Sequence, residues 1–389
     1  MSHPRPQLFP DLLEAEPETR SAGVLPSQMI RELVLGGRIT ADKSVAEEQI
    51  QPASLDLRLG DMAHRVQASF LPGRGATVED RIRDLRMTRL DLTSGTAILE
   101  KGCVYIVPLL EQLHLPSDLH AKANPKSTTG RLDIFTRLIA DYGTEFERVP
   151  RGYKGKLYAE IVPRTFSVVA RSGMRLNQIR FIRGKTDPSV SDRSISDLDK
   201  KETLVYIDED NPGKAQVDRG LTISINLEAT DGQEVVAYRA KKNTPAIDLA
   251  KVNHYRPDDF WDIKPEPRGK QLILDPGDFY ILASKERVRV PPESAAEMLP
   301  IDPSIGEFRI HYAGFFDPGF GYGASDIKGT PAVLEVRAHE VPFLIEDGQI
   351  VGRLAYMKLL SRPDKVYGVE IGSSYQKQSL TLSKQFLRA

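Results

Sequence analysis

A single cysteine, Cys103, occurs in 389 residues. No internal disulfide can form, and the chain reads as one that works in a reducing, cytoplasmic setting. Neither sign of charge is in excess: 53 Lys and Arg meet 54 Asp and Glu, a net charge of −1. That balance argues against a surface that coats nucleic acid, while leaving room for a local basic pocket. No stretch approaches 18 consecutive apolar residues, so no membrane-spanning helix is expected. The first twenty residues, rich in proline and acidic side chains, lack the apolar run of a secretory leader. Seven histidines form no HxE or HExxH pattern, and Cys103 has no cysteine partner. A zinc site is therefore not expected, and hydrolytic chemistry must rest on carboxylates, hydroxyls and backbone dipoles.

What remains is ordinary for a globular protein: 40% hydrophobic and 28% charged residues, in a length that suits two domains. Residues 1–24 read as an extended arm, with Pro4, Pro6, Pro10 and Pro17 along it. Ser27 then looks like the N-cap of a helix that ends at Gly36-Gly37. In Leu55-Asp56-Leu57-Arg58-Leu59 the alternation predicts a half-buried strand with Asp56 and Arg58 on a solvated face. Short β-like runs follow at Cys103–Val107, Leu157–Val162, Phe166–Ala170 and Leu176–Ile182, and no long amphipathic helix appears. This is the pattern of an all-β sandwich or barrel. Residues 184–219 turn polar and read as the join between two domains, 25–205 and 206–389.

The second half repeats the first. Leu99, Gly102, Tyr105 and Ile106 recur as Leu274, Gly277, Tyr280 and Ile281. Glu111, Glu160 and Gly173 recur as Glu286, Glu335 and Gly348. Every pair is 175 residues apart, on both sides of a variable middle, which implies two copies of one β domain in tandem. The copies differ where chemistry would sit. The first holds Lys126-Ser127-Thr128-Thr129-Gly130-Arg131, whose cations, hydroxyls and backbone N–H groups suit a polyphosphate. At the same shift, Lys126, Ser127 and Arg131 become Ile301, Asp302 and Gly306. The second copy instead has the acidic turn Phe316-Asp317-Pro318-Gly319, where the first has Val149-Pro150-Arg151-Gly152.

Together these pieces resemble the dCTP deaminase branch of the dUTPase-like superfamily. The features that carry the resemblance are Gln51 to Gly60, the cradle Lys126 to Arg131, Gly152-Tyr153-x-Gly155 leading to Glu160, Gly173 to Ile179, and a tail with Tyr367 and Ser374 to Gln378. The resemblance implies two distorted, jelly-roll-like β-barrels with a few short helices, in trimer-based homo-oligomers with sites between neighbouring domains. It implies hydrolysis of dCTP to dUTP and ammonia without zinc, with dCTP, dUTP and dTTP-type nucleotides as ligands and Mg²⁺ carried on the triphosphate. Glu160 is the implied catalytic carboxylate, with Ser127 and Arg131 beside it. Lys126, Thr128, Thr129, Gly130, Tyr153, Asp317, Tyr367, Lys377 and Gln378 are implied nucleotide contacts.

Two arrangements of the site remain open on the sequence. In one, favoured slightly, first copies alone supply Lys126, Ser127, Arg131 and Glu160. In the other, the first copy's cradle faces Asp317 and Glu335 of the second. A dUTP pyrophosphatase, a bifunctional enzyme forming dUMP, and a non-catalytic nucleotide-binding protein also remain open, the first two chiefly through Asp317.

Overall fold

The structure, a computed structural model, describes residues 22–185, 187–229, 234–299, 308–311, 314–322, 327–338, 340–368 and 380–388. It is built mostly of strands. In the first copy, Leu119–Pro125 and Leu55–Arg58 both pair antiparallel with Arg175–Arg183. A second sheet runs through Met62–Val66, Val104–His114, Lys154–Pro163 and Ile134–Ala140. Leu55, Leu57 and Leu59 enter the core between the sheets, as their alternation predicts. Asp56 and Arg58 do not face solvent; they are 1% and 9% exposed. Arg58 donates to Glu111 at 2.7 Å, and Asp56 pairs with Lys126. Alternation identifies which residues share a face, but the second face is covered here by protein.

The 175-residue repeat is a structural repeat, register by register. Glu160 pairs with Ile106, and Glu335 with Ile281. Lys122 pairs with Arg180, and Glu297 with Ala355. Gly102 and Gly277 both turn at positive φ, 79° and 75°, where a side chain would be strained. The Tyr105 hydroxyl accepts from the Glu100 backbone N–H, and that of Tyr280 from Asp275. Buried Glu111 and half-buried Glu286 each accept the backbone N–H of a neighbouring strand, from Arg58 and Ser224.

The two copies share territory more than their sequence order implies. The helix Asp192–Glu202 and strand Val205–Tyr206 lie within the stretch read as a join, and Ile195 and Val205 are buried in the second core. The structural boundary thus falls before this helix, not at 205. In the other direction, Ile247, Trp261 and Phe386 belong to the first core. Ile247–Asp248 even adds a parallel strand to Val168–Ala170. At the amino end, residues 1–21 of the expected arm lie outside the described residues, while Gly23–Val24 is a strand on Arg183 and Ile182. The first helix is Ser27–Leu35, with Pro26 rather than Ser27 at its N-cap. Ser27 is buried and its hydroxyl donates to Asp364.

Candidate functional site

The cradle is a single helical turn, Ser127–Gly130, entered through Lys126 in extended conformation. Its carbonyl at Lys126 accepts from Thr129 and Gly130, and the Ser127 carbonyl from Arg131. Thr129 is buried, and its hydroxyl donates to the Leu176 carbonyl at 3.0 Å. That bond fixes the turn on the strand beside it. Ser127 is exposed at the mouth of the turn. The half-buried Lys126 ammonium forms an ion pair with Asp56. The carboxyl-terminal segment returns to the same turn: Ser383 Oγ donates to the Thr128 carbonyl at 3.0 Å, and Arg131 Nη1 donates to the Thr381 carbonyl at 3.1 Å.

Opposite this cradle stand two acids of the second copy. Glu335, on Thr330–Ala338, is 6% exposed, and burial pushes its carboxyl up to about 8. Arg131 is the cation whose field pulls it back down, while Asp133 adds to the upward push. Asp317 sits at the start of the turn closed by Phe320 N–H on the Asp317 carbonyl. Burial raises its pKa as well, countered by the charges of Arg180 and Lys126. Arg180, 1% exposed, donates to Asp317 Oδ1 at 3.4 Å and to the Ala296 carbonyl at 3.1 Å. Gly321 in this turn has φ 69°, and a Cβ there would lie 2.1 Å from the Val288 carbonyl. Tyr367 closes on the turn, its N–H donating to the Pro318 carbonyl at 2.8 Å. Lys377 and Gln378 lie outside the described residues.

Glu160 is placed differently from the expectation that it serves the cradle. It is fully buried in the first copy, and its Oε1 accepts from Arg137 at 2.6 and 3.0 Å. The Arg137 guanidinium is stacked 3.4 Å from the Phe146 ring centroid and also donates to Ser69. Both bonds go to one arginine of the same sheet, and the buried side chain faces Arg137 rather than the cradle. Tyr153 is also spent on its own hairpin: its hydroxyl donates to the Lys156 carbonyl at 2.5 Å and accepts from Asp141 N–H at 3.0 Å. So the chain brings the cradle of copy one to Glu335 and Asp317 of copy two. Residues Asp56, Asp133 and Arg180, all buried at this junction, were not singled out from sequence as site residues. The signal for Asp56 lay in its strand, Gln51 to Gly60, where a polar residue alternates with leucines. Arg180 and Asp133 carry no local signal of their role.

This arrangement can hold an anion at the cradle and offer a carboxyl with pKa near neutrality to the groups beside it, a pairing suited to proton transfer. Among the described residues, no three His, Cys, Asp or Glu side chains gather as a metal site. No described helix is long and apolar enough to cross a membrane.

Comparison with known proteins agrees with this picture. Residues 21–185 match the model of the 2'-deoxycytidine 5'-triphosphate deaminase N-terminal domain, and residues 191–386 that of its C-terminal domain. A dCTP deaminase of Halorubrum lacusprofundi is 34% identical over 115 residues, covering 29% of this chain and only 53% of the relative. One from Coprothermobacter proteolyticus, described as dUMP-forming, is 29% identical over 163 residues, covering 41% of this chain and 81% of the relative. The crystal structure of 2'-deoxycytidine 5'-triphosphate deaminase from Agrobacterium tumefaciens superposes with a TM-score of 0.82 at 48% identity, covering 87% of this chain and 100% of that one. The chain belongs to the 2'-deoxycytidine 5'-triphosphate deaminase family, as a tandem duplication of its β-barrel.

Proposed function

We propose that the chain hydrolyses dCTP to dUTP and ammonia at a composite site, with the cradle Lys126–Arg131 from the first copy and Glu335 with Asp317 from the second. The observation that supports this reading is Arg131 set against a buried Glu335 whose pKa lies near neutrality. Both halves come from one chain.

The chemistry asks one group to take a proton and return it. Water attacks C4 of the cytosine ring and loses a proton to the Glu335 carboxylate. Glu335 then delivers that proton to ring N3, which leaves C4 tetrahedral with a hydroxyl and an amino group. A second proton passes from the C4 hydroxyl through Glu335 to the amino group, which leaves as ammonia as C4 forms its double bond to oxygen. A carboxyl with a pKa near 8 serves as acid and base in turn at neutral pH. Arg131 and the exposed Ser127 hydroxyl orient the water and stabilise the charge that builds at C4. Lys126 and the Thr128 hydroxyl face the phosphates, and Asp317 and Tyr367 hold the sugar side. Magnesium enters on the nucleotide's phosphates, whose oxygens and water are its ordinary ligands.

A bifunctional outcome has a specific observation behind it: Asp317 is a second buried acid in the same site, with a raised pKa. Purified protein incubated with dCTP and Mg²⁺, with nucleotides separated afterwards, decides the matter. Appearance of dUTP and ammonia supports the deaminase. Appearance of dUMP and pyrophosphate supports the bifunctional enzyme. Unchanged dCTP overturns both.

A further inference from the structure

Two residues beyond Arg131 stands Asp133, and two beyond Glu335 stands Arg337; the two meet as a second pair across the joint between the copies. Glu335 and Arg337 share one face of the strand Thr330–Ala338, since side chains two apart on a strand point the same way. Arg337 and Asp133 are both buried. The Arg337 guanidinium donates to the Asp133 carboxylate through Nε, at 3.2 and 3.3 Å, and through Nη2. Nη2 also donates to the Thr165 hydroxyl at 2.7 Å, and that hydroxyl donates to Asp133 Oδ2 at 2.5 Å. Nη1 donates to the Gly277 carbonyl of its own copy. All three nitrogens of the fork are engaged, which fixes the guanidinium in orientation as well as in place.

Asp133 is tied as firmly to the cradle. Its N–H donates to the Gly130 carbonyl at 2.8 Å, and its own carbonyl accepts from Arg164 at 2.9 Å. Its φ is 54°, in the left-handed region that aspartate tolerates better than most residues. The 175-residue repeat shows that the pair belongs to this joint alone. The counterpart of Arg337 in the first copy is Val162, and that of Asp133 in the second is Phe308. The register partners of the two glutamates differ as well: Arg137 stands beside Glu160, and His311 beside Glu335. A buried ion pair is a poor source of stability once desolvation is counted, and its best attested use is to fix register.

We propose that Asp133 and Arg337 are positioning residues for the deamination: they hold Glu335 in register with Arg131, and Asp133 acts on Glu335 by its charge. The inference rests on the composite site proposed above. Neither residue touches the reacting atoms. The pair works through the acid it places, and a displacement of that acid by about 1 Å against a cytosine held in the cradle costs on the order of 10²-fold in rate. Of the charges that reach Glu335 from the first copy, Arg131 favours its carboxylate and Asp133 disfavours it.

Full-length Asp133→Asn and Arg337→Gln are assayed with dCTP and Mg²⁺ by ammonia release, beside Glu335→Gln and the parent. Both pair variants are expected to lose about 10²-fold in kcat while KM for dCTP stays within about threefold, because the cradle is intact. In Asp133→Asn the limb over which kcat rises with pH is expected to move to lower pH, since an anion beside Glu335 is gone. A residue that only stabilises the fold would leave that limb in place. Melting curves establish that the variants are folded. If the single variants are not, Asp133→Asn/Arg337→Gln leaves neither charge buried without the other and is expected to show the same loss of kcat. Folded variants with kcat near the parent's, a loss confined to KM, or an unmoved limb in Asp133→Asn each overturn the proposal. Glu335→Gln separates the two failures. If it is inactive beside normal pair variants, only the positioning role falls; if it is active, the composite site falls and this inference with it.

Discussion

Glu160 and Glu335 occupy the same position of the same β domain, 175 residues apart, yet their surroundings give them opposite characters. Glu160 meets an arginine of its own sheet at 2.6 Å and is fully buried. Glu335 meets the cradle of the other copy and carries a pKa near 8. Position in a fold therefore does not make a carboxylate catalytic; the groups that face it do. The first copy keeps the cradle and a glutamate paired with Arg137, and the second keeps Glu335 and the Asp317 turn.

The sharpest way to break this comparison is to remove the carboxylates one at a time. Glu335→Gln is expected to lower kcat for dCTP about 10³-fold, the scale of a lost general base, while Glu160→Gln stays within about threefold. The opposite pattern in steady-state assays would return catalysis to the first copy. Next in size is the structural cost of unlocking Glu160. Arg137→Met leaves a buried carboxylate unpaired and is expected to cost about 3 kcal/mol of stability in denaturant unfolding, with most of it recovered in Arg137→Met/Glu160→Leu. A harmless Arg137→Met would mean that Glu160 is not held by that pair. Arg131→Gln is expected to lower kcat/KM about 10²-fold with little change in melting temperature, as for loss of one charge-stabilising donor; a loss of stability instead would make Arg131 a fastener of the final segment.

The smallest effect is in pH dependence, and its sign follows from the raised pKa. The folded Glu335 binds its proton up to about pH 8, whereas an ordinary glutamate releases it near 4.5. Between these values the folded state holds the extra proton, so the contribution of this group to stability falls as pH rises from about 4.5 to 8. Glu147, half-buried and pushed up to about 8 by desolvation of its carboxyl, acts in the same direction. The decline in melting temperature from pH 5 to 8 is expected to be shallower in Glu335→Gln than in the parent and to keep the part due to Glu147. An unchanged slope would place Glu335 in the ordinary carboxylate range.

Much of the fold was legible because duplication prints itself in sequence. Gly102 and Gly277 mark the same turn, and Tyr105 and Tyr280 satisfy the same backbone N–H. Such residues are fixed by local geometry, so they recur at a constant shift. The all-β class followed from short alternating strands. The site was legible only in pieces. Lys126 to Arg131 and Phe316 to Gly319 are local motifs, but which copy's acid faces which cradle depends on packing between domains. Nothing near Glu160 in sequence announced that Arg137, on the adjacent strand, would claim it. The alternation around Asp56 was read correctly and its outer face was not, because that face is covered by distant parts of the same copy, Lys126 at Asp56 and Glu111 with the carbonyls of Lys43 and Ser44 at Arg58. The return of Phe386 to the first core is equally nonlocal.

Lys122 and Glu297 are also 175 residues apart, and they touch each other: the lysine ammonium lies 2.5 Å from the glutamate carboxylate. Two identical barrels meeting at this place would set a lysine against a lysine, or a glutamate against a glutamate. Once the copies were joined in one chain, the two positions were free to take opposite signs, and the joint between them became polarised. Each barrel now recognises its counterpart and repels its own kind at that point. A barrel cut out and expressed alone would carry an instruction to avoid pairing with itself. A lysine at one position and a glutamate at its equivalent thus make the two barrels complementary, and not exchangeable, at this joint.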